Sequence, residues 1–151
     1  MRKLLLCVYI GLFSISIIYS QVTNDTDVDI DKKYMVFADY NSISTIIKTL
    51  LNNSIKFNNE NSLITIKLIN IPDYVQLTIS DNGIGMPQKQ VNELFDQETF
   101  ISTPGTNQEK GSGLGLMLVS QFIKMNKGKI EVESKEGFET SFTVSIPEGQ
   151  M

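Results

Sequence analysis

Apolar and polar residues follow two different periods along residues 33–147. In residues 43–51 the apolar side chains recur at helical spacing, and they are Ile43, Ile46, Ile47, Leu50 and Leu51. Residues 62–69 and 74–80 instead alternate every second residue, as in half-buried strands, with Pro72 and Asp73 between them as a turn. The pattern predicts a helix, capped by Asp39, Asn41 or Ser42, followed by an antiparallel hairpin.

The second half of the chain continues this order after a long interruption. Residues 87–95 fit a short helix, and residues 96–112 have no usable period and predict a long loop. A helix over residues 114–125 follows, with an apolar stripe, and then alternating strands over residues 129–134 and 140–146. With a short strand over residues 33–38, the chain predicts an α/β (α+β) two-layer sandwich: a mixed, mainly antiparallel sheet with about three helices on one face. The members of the stripe are Leu114, Met117, Leu118, Phe122 and Met125.

The first twenty residues differ from the rest. Arg2 and Lys3 precede an apolar stretch over residues 4–19, and an acidic segment begins soon after Ser20. This is typical of a secretory signal peptide, and an uncleaved short membrane anchor is the alternative. We therefore expect three parts: a leader over residues 1–20, an acidic linker or first strand over 21–32, and a globular domain over 33–151.

Charge and two scarce residue types exclude several classes of function. The chain has 13 basic and 17 acidic residues and a formal net charge of −4, which argues against a nucleic-acid-binding protein. It contains no histidine and one cysteine, Cys7. Ser-His-Asp catalysis, a histidine metal site, an intramolecular disulfide and a cysteine zinc site are therefore excluded.

The first candidate motif lies on the predicted helix over residues 43–56. Thr49, Asn53 and Lys56 have helical spacing and share one face. An amide oxygen can ligate Mg²⁺ and a lysine can neutralise a phosphate, so this face could hold a metal and a phosphate together. Taken alone, it is a weak signal, and an ordinary solvated helix face is the favoured interpretation.

Two glycine-rich segments are the other candidates. Asp81-Asn82-Gly83-Ile84-Gly85-Met86 directly follows a predicted strand, where an aspartate could accept a hydrogen bond from an amino group such as that of adenine. Asn-Gly is also the commonest pair in tight turns, so an ordinary turn without a binding role is the alternative interpretation. Residues 111–116, Gly-Ser-Gly-Leu-Gly-Leu, end the long loop and open a helix, where free N–H groups can bind phosphate.

In this order and spacing, the three motifs resemble the ATP-binding catalytic domain of sensor histidine kinases, in the superfamily of DNA gyrase, the heat-shock chaperone ATPase and mismatch-repair ATPases. The resemblance covers residues 34–147, and residues 100–116 look like the ATP lid of these kinases. It implies an ATP·Mg²⁺ site with Asn53 as the Mg²⁺ ligand. The implied ATP-binding residues are Asn53, Lys56, Phe57, Asp81, Gly83, Gly85, Met86, Phe100, Lys110, Gly111, Gly113, Leu114, Gly115, Leu116 and Thr140.

The resemblance also assigns roles within this set. Lys56 would contact phosphate and Phe57 would pack beside the nucleoside. Asp81 would bind the adenine amine, with Gly83 and Gly85 admitting the ring. The glycines of residues 111–115 would wrap the triphosphate, and Thr140 would lie on the adenine side.

The sequence departs from the family in three places. Thr49 stands where hydrolysing members have the glutamate that activates water and where kinases usually have asparagine, which disfavours ATP hydrolysis. Glu139 replaces the second glycine of a GxG pair and is expected to add bulk at a close strand junction. The phosphoacceptor hairpin is missing, and the chain has no catalytic histidine of its own.

These observations lead to a histidine protein kinase domain of a two-component system, which would act in trans on a His-bearing dimerisation domain and serve a response regulator. The alternative is a catalytically inactive nucleotide-binding remnant or pseudokinase. A serine kinase of the anti-sigma-factor type is a third hypothesis. The family implies an inner-membrane protein with a cytoplasmic catalytic domain, whereas the leader predicts export or membrane targeting, a conflict that an internal deletion or an inefficient leader would explain.

Overall fold

A computed structural model describes residues 6–8, 26–29, 34–36, 38–58, 63–95 and 114–149. These residues form seven strands and three helices. In chain order the elements are β1 (Leu6–Val8), β2 (Thr26–Asp29), β3 (Tyr34–Val36), α1 (Tyr40–Lys56), β4 (Ile64–Ile71), β5 (Tyr74–Asp81), α2 (Gln88–Glu93), α3 (Gly115–Met125), β6 (Lys129–Lys135) and β7 (Glu139–Pro147).

Helix α1 begins at an aspartate cap and buries one apolar arc. The Asp39 carboxylate accepts hydrogen bonds from the Ser42 N–H and the Ser42 hydroxyl, each at 2.8 Å, which satisfies a helix N–H that has no intrahelical partner. Asp39 is thus the cap among the three predicted candidates. The buried apolar side chains of α1 are Ile43, Ile46, Leu50 and Leu51.

Five strands form one mixed sheet in the order β2-β4-β5-β7-β6. Strands β2 and β4 are parallel, and the other three pairs are antiparallel. The register places Ile79 opposite both Ile66 and Phe142, and all three are buried beneath the helices. This arrangement confirms the predicted α+β sandwich, and the β4–β5 hairpin lies where the alternation predicts it.

The side chains of the opposite sheet face are polar and bond to each other across strands. Thr78 pairs with Thr143, Ser80 with Ser141, and Gln76 donates to Ser145, at 2.9–3.2 Å between side-chain atoms. Such cross-strand pairs stabilise a sheet face that no helix of the described region covers. The helices therefore lie on one face, and the functional site has to be sought between them and the sheet.

The structure corrects the predicted stripe of α3. The side chains of α3 that are fully buried are Val119 and Ile123, whereas Met117, Leu118 and Met125 of the stripe, and Leu114 just before the helix, are exposed. The helix is apolar on most of its circumference, so spacing alone could not select the face that packs on the sheet. Phe122 of the stripe is partly buried and packs against the core.

Within the leader, only Leu6–Val8 is described, and it forms an antiparallel strand with Tyr34–Val36. Among the described residues, no helix is both long enough and apolar enough to cross a membrane. The rest of the leader and the long loop predicted over residues 96–112 lie outside the described residues.

Candidate functional site

Asp81 lies at the end of β5 and is the centre of a buried polar cluster. Its side chain is only 6% exposed, and one carboxylate oxygen accepts a hydrogen bond from the Gly83 N–H at 3.1 Å. Directly across the sheet, Thr140 is also buried and bonds through its hydroxyl to Ser134 at 2.9 Å. The structure thus brings the predicted adenine-side residues Asp81 and Thr140 together.

The electrostatic state of Asp81 follows from its position. Burial raises the pKa of the Asp81 carboxyl above its ordinary value, and the Ser54 hydroxyl and the Gly83 N–H partly oppose that shift. Within the described residues, no cationic side chain contributes to this balance. The result is a buried hydrogen-bond acceptor that a ligand amine could satisfy.

Ser54 belongs to the same buried cluster, although none of the three sequence motifs included it as a candidate. It lies on α1 next to Asn53, is 1% exposed, and its hydroxyl makes no hydrogen bond of good geometry within the described residues. Leaving a buried hydroxyl without a hydrogen bond typically costs about 1–3 kcal/mol. Its spacing from Leu50 and Leu51 places Ser54 on the apolar arc of the helix, and the fold brings that arc against β5.

Gly83 and Gly85 are needed for backbone packing around this cluster. A Cβ on Gly83 would lie 2.3 Å from the Phe57 carbonyl oxygen and 2.9 Å from a carboxylate oxygen of Asp81. Gly85 has a φ of +61°, and a Cβ there would lie 2.0 Å from the Lys135 carbonyl oxygen. Both contacts are with the protein itself, so admitting the adenine ring remains a prediction for these two glycines.

The turn between β6 and β7 holds the same loop from the other side. The Gly137 N–H donates to the Ile84 carbonyl at 2.7 Å, and the Met86 N–H donates to the Ser134 hydroxyl at 2.9 Å. Glu139 is exposed at the start of β7, so the expected crowding of this junction by its side chain does not occur. The loop over residues 82–86 is therefore fixed between α1 and the β6–β7 turn.

The end of α1 that would hold metal and phosphate faces the start of α3. Asn53 is half-buried, one turn after Thr49, and the Thr49 methyl would lie 3.0 Å from a Cβ on Gly115. Leu114 precedes the helix and is exposed, while Leu116 packs partly against the core. Thr49 of the first motif therefore lies beside Gly115, in the described part of the third motif.

Lys56 and Phe57 connect this end of α1 to the Asp81 loop. The Lys56 Nζ lies 4.9 Å from the centroid of the Phe57 ring, within cation–π range. The Ile84 N–H donates to the Phe57 carbonyl at 3.1 Å, which ties the end of the helix to the loop. Met86 is half-buried against the core.

The lid residues of the predicted site are not among those described. Phe100, Lys110, Gly111 and Gly113 fall outside the described residues, so their roles stay predictions. The remaining set supplies a buried carboxylate, a helix amide and a lysine, which are groups suited to a base amine, a divalent cation and a phosphate respectively. A buried aspartate at a strand end beside an amide-bearing helix, on an α/β sandwich, is typical of a nucleotide-binding domain.

Comparison with protein families places this class more narrowly. Residues 38–150 match the family of histidine kinase-, DNA gyrase B-, and HSP90-like ATPases. Since this match spans most of the chain, the chain belongs to that family, and its relatives place it with the histidine kinases.

Among those relatives are sensor proteins of bacteria. Sensor protein EvgS of Escherichia coli strain K12 is 36% identical over 118 residues, which span 76% of this chain and 10% of that protein. Sensor protein RprX of Bacteroides fragilis is 31% identical over 115 residues, which span 75% of this chain and 22% of that protein. The chain thus covers less than a quarter of the length of these two relatives.

Solved structures confirm the fold. The mycobacterial sensor histidine kinase MprB superposes with a TM-score of 0.78 at 22% identity, over 91% of this chain and 93% of that one. The catalytic domain of histidine kinase ThkA gives a TM-score of 0.76 at 23% identity, over 89% of each chain.

Proposed function

We propose that this chain binds ATP·Mg²⁺ between α1, the Asp81 loop and the start of α3, and transfers the γ-phosphoryl group to a histidine of another protein chain. The observation that supports this most is the buried Asp81 carboxylate, which has one oxygen bonded to the Gly83 N–H. A buried carboxylate with spare acceptor capacity is costly to the fold, and a base amine would offset that cost.

The residues present fit the two groups that the family implies. The Asn53 amide makes no hydrogen bond with another described side chain, and Mg²⁺ is commonly held by one or two protein oxygens together with substrate phosphates. Asn53 would hold the metal, Lys56 would contact a phosphate oxygen, and Phe57 would pack beside the nucleoside. When bound, the metal supplies charge neutralisation between the phosphates.

Transfer to a protein is favoured over hydrolysis by Thr49. This residue faces the start of α3 one turn before Asn53, where a carboxylate could activate water, and a threonine hydroxyl is a poor general base. Phosphoryl transfer depends mostly on positioning and metal electrostatics, so a kinase does not need that carboxylate. Because the chain has no histidine, the acceptor must come from another chain.

The partners follow from this chemistry. We propose a His-bearing dimerisation hairpin as the phosphoryl acceptor and a response regulator as the next acceptor, with the membrane reached only through the leader over residues 1–20. The leader as a cleavable signal, with an uncleaved anchor as the alternative, remains part of this proposal. An inactive nucleotide-binding remnant is the second candidate, favoured by Thr49 and by the lack of a histidine.

One transfer experiment separates the candidates. The chain is incubated with γ-labelled ATP, Mg²⁺ and a His-bearing dimerisation hairpin from a sensor kinase. Acid-labile label on the hairpin supports the kinase, and ATP binding without transfer supports the inactive module. Acid-stable serine label would instead support a serine kinase of the anti-sigma-factor type.

The metal role is tested by Asn53→Ala, with Asn52→Ala as the matched control. Asn52 is the exposed neighbour on the same helix turn, so both variants lose an amide from α1. Asn53→Ala should abolish the Mg²⁺-dependent part of ATP affinity in calorimetry and leave folding intact, whereas Asn52→Ala should change neither. Equal behaviour of the two variants would remove Asn53 from the site.

A further inference from the structure

Two serines of α1 are buried, and only one of them has a structural use. The Ser42 hydroxyl, 5% exposed, donates to the Asp39 carboxylate at 2.8 Å and completes the helix cap. The Ser54 hydroxyl, in a residue 1% exposed, makes no hydrogen bond of good geometry within the described residues.

A serine inside a helix normally bonds the carbonyl one turn back or faces water. Ser54 does neither, so its oxygen stabilises neither the helix nor the core. Buried polar atoms without partners are rare in folded proteins, and such an atom beside a ligand site is commonly completed by the ligand or by a water that arrives with it. The position of Ser54 meets that condition, because α1 packs on β5, both Ser54 and Asp81 are buried there, and the hydroxyl is near enough to lower the pKa of the Asp81 carboxyl.

We propose that Ser54 is a positioning residue for purine recognition, whose hydroxyl orients the Asp81 carboxylate toward the amino group on the six-membered ring of the base. This inference rests on the proposed nucleotide site and adds a specificity determinant to it.

The geometry around Asp81 gives the hydroxyl this role. One carboxylate oxygen is fixed by the Gly83 N–H on the loop side, and Ser54 approaches from the helix side. Without a bound base only the Gly83 N–H holds the carboxyl, and the proposed role has the Ser54 hydroxyl become the second donor when the base amine binds. The Ser54 hydroxyl also lowers the pKa of Asp81 against the effect of burial, which favours the charged form that accepts most strongly from an amine.

The test compares two nucleotides that differ in one amino group: ATP and purine riboside triphosphate, which lacks the 6-amine. Affinities of the full chain and of Ser54→Ala are measured by calorimetry with Mg²⁺. Ser54→Ala should weaken ATP about five- to tenfold, the value of one net hydrogen bond, and leave purine riboside triphosphate unchanged. The preference of the chain for ATP over the analogue should therefore shrink by the same factor.

Ser42→Ala is the matched control, because it removes the other buried hydroxyl of the same helix. It should lower the melting temperature of the ligand-free chain and leave the ATP preference as in the parent. Ser54→Ala should leave the melting temperature unchanged or raise it, since it removes a buried hydroxyl that has no partner. In an Asp81→Asn background, Ser54→Ala should have no further effect on the preference.

Two results would overturn the inference alone: an unchanged preference in Ser54→Ala, or an equal loss of affinity for both nucleotides. A parent chain that binds neither nucleotide would overturn the inference together with the proposed function.

Discussion

Helix α1 joins two aspartate–serine pairs, one near each of its ends, and they are built in opposite ways. At the N-terminus, Asp39 is exposed and accepts two hydrogen bonds from Ser42, and these bonds lower the pKa of Asp39 below its ordinary value. Near the C-terminus, Asp81 is buried beside Ser54, its pKa is raised by burial, and the serine hydroxyl has no bond of good geometry. The first pair stabilises the helix, and the second lowers stability.

We interpret the Asp39–Ser42 pair as structural and, under the proposed function, the Asp81–Ser54 pair as part of the binding site. An N-cap stabilises its helix most when its hydrogen bonds are complete, because its role is to satisfy the free helix N–H groups. A binding site has a higher affinity for its ligand when some of its acceptors are unpaired in the free protein, because the ligand then forms the missing hydrogen bonds. Substitutions in the two pairs should therefore have opposite consequences for stability and for binding.

The largest expected effect comes from Asp81→Asn. Loss of a charged acceptor for the base amine should weaken ATP by about 1.5–3 kcal/mol, measured by calorimetry. The free energy of unfolding should rise at neutral pH. A carboxyl with a raised folded pKa contributes stability that is fully present below its unfolded pKa and lost as pH rises through the folded pKa, and the amide removes that loss.

Urea titrations of the parent and Asp81→Asn at pH 4 and pH 7 provide the check. The gain in the variant should be larger at pH 7 than at pH 4. Weaker folding of the variant at pH 7 would show that the charged carboxylate stabilises the domain, and the contrast between the two pairs would fail.

The smaller expected effect comes from Asp39→Ala at the other pair. Removing the cap should lower the melting temperature by a few degrees and leave ATP affinity as in the parent. Because the folded pKa of Asp39 is lowered, its contribution is present above the unfolded pKa and disappears as pH falls through the folded pKa. The difference from the parent should thus shrink in acid, as followed by circular dichroism from pH 7 to pH 2.

Asp39 is exposed, so salt should screen the charged part of this effect. Asn41→Ala, at the exposed neighbouring position, is the control and should change the melting temperature little. A loss of ATP affinity in Asp39→Ala would mean that the two ends of α1 are coupled, and the cap could no longer be called purely structural.

The two pairs also show which features of the structure can be predicted from the sequence. The Asp39 cap is local, since aspartate precedes a helical apolar period by a few residues, and it was among the predicted candidates. The helix boundaries and the β4–β5 hairpin are local in the same sense, because period and turn residues define them. The three motifs identify the family because their order and spacing are specific.

Features that depend on packing between distant elements could not be predicted from local sequence patterns. The spacing of Ser54 from Leu50 and Leu51 places it on the buried arc of α1, but its position beside Asp81 depends on how α1 packs on β5. The buried face of α3 was predicted wrongly for the same reason. Most of the helix is apolar, so contact with the sheet, and not hydrophobicity, determines that Val119 and Ile123 are buried. Gly83 and Gly85 were predicted to admit the adenine ring, which stays a prediction, and spacing could not show that a Cβ at either position would meet the carbonyl oxygens of Phe57 and Lys135.

The account depends most on a base-specific nucleotide site at Asp81. Its direct test is a calorimetric titration of the folded chain with ATP and GTP, each with and without Mg²⁺. The account predicts saturable heat with ATP, stronger with Mg²⁺, and much weaker binding of GTP, which lacks the 6-amine. No heat with ATP and Mg²⁺, or equal affinity for the two nucleotides, would contradict it.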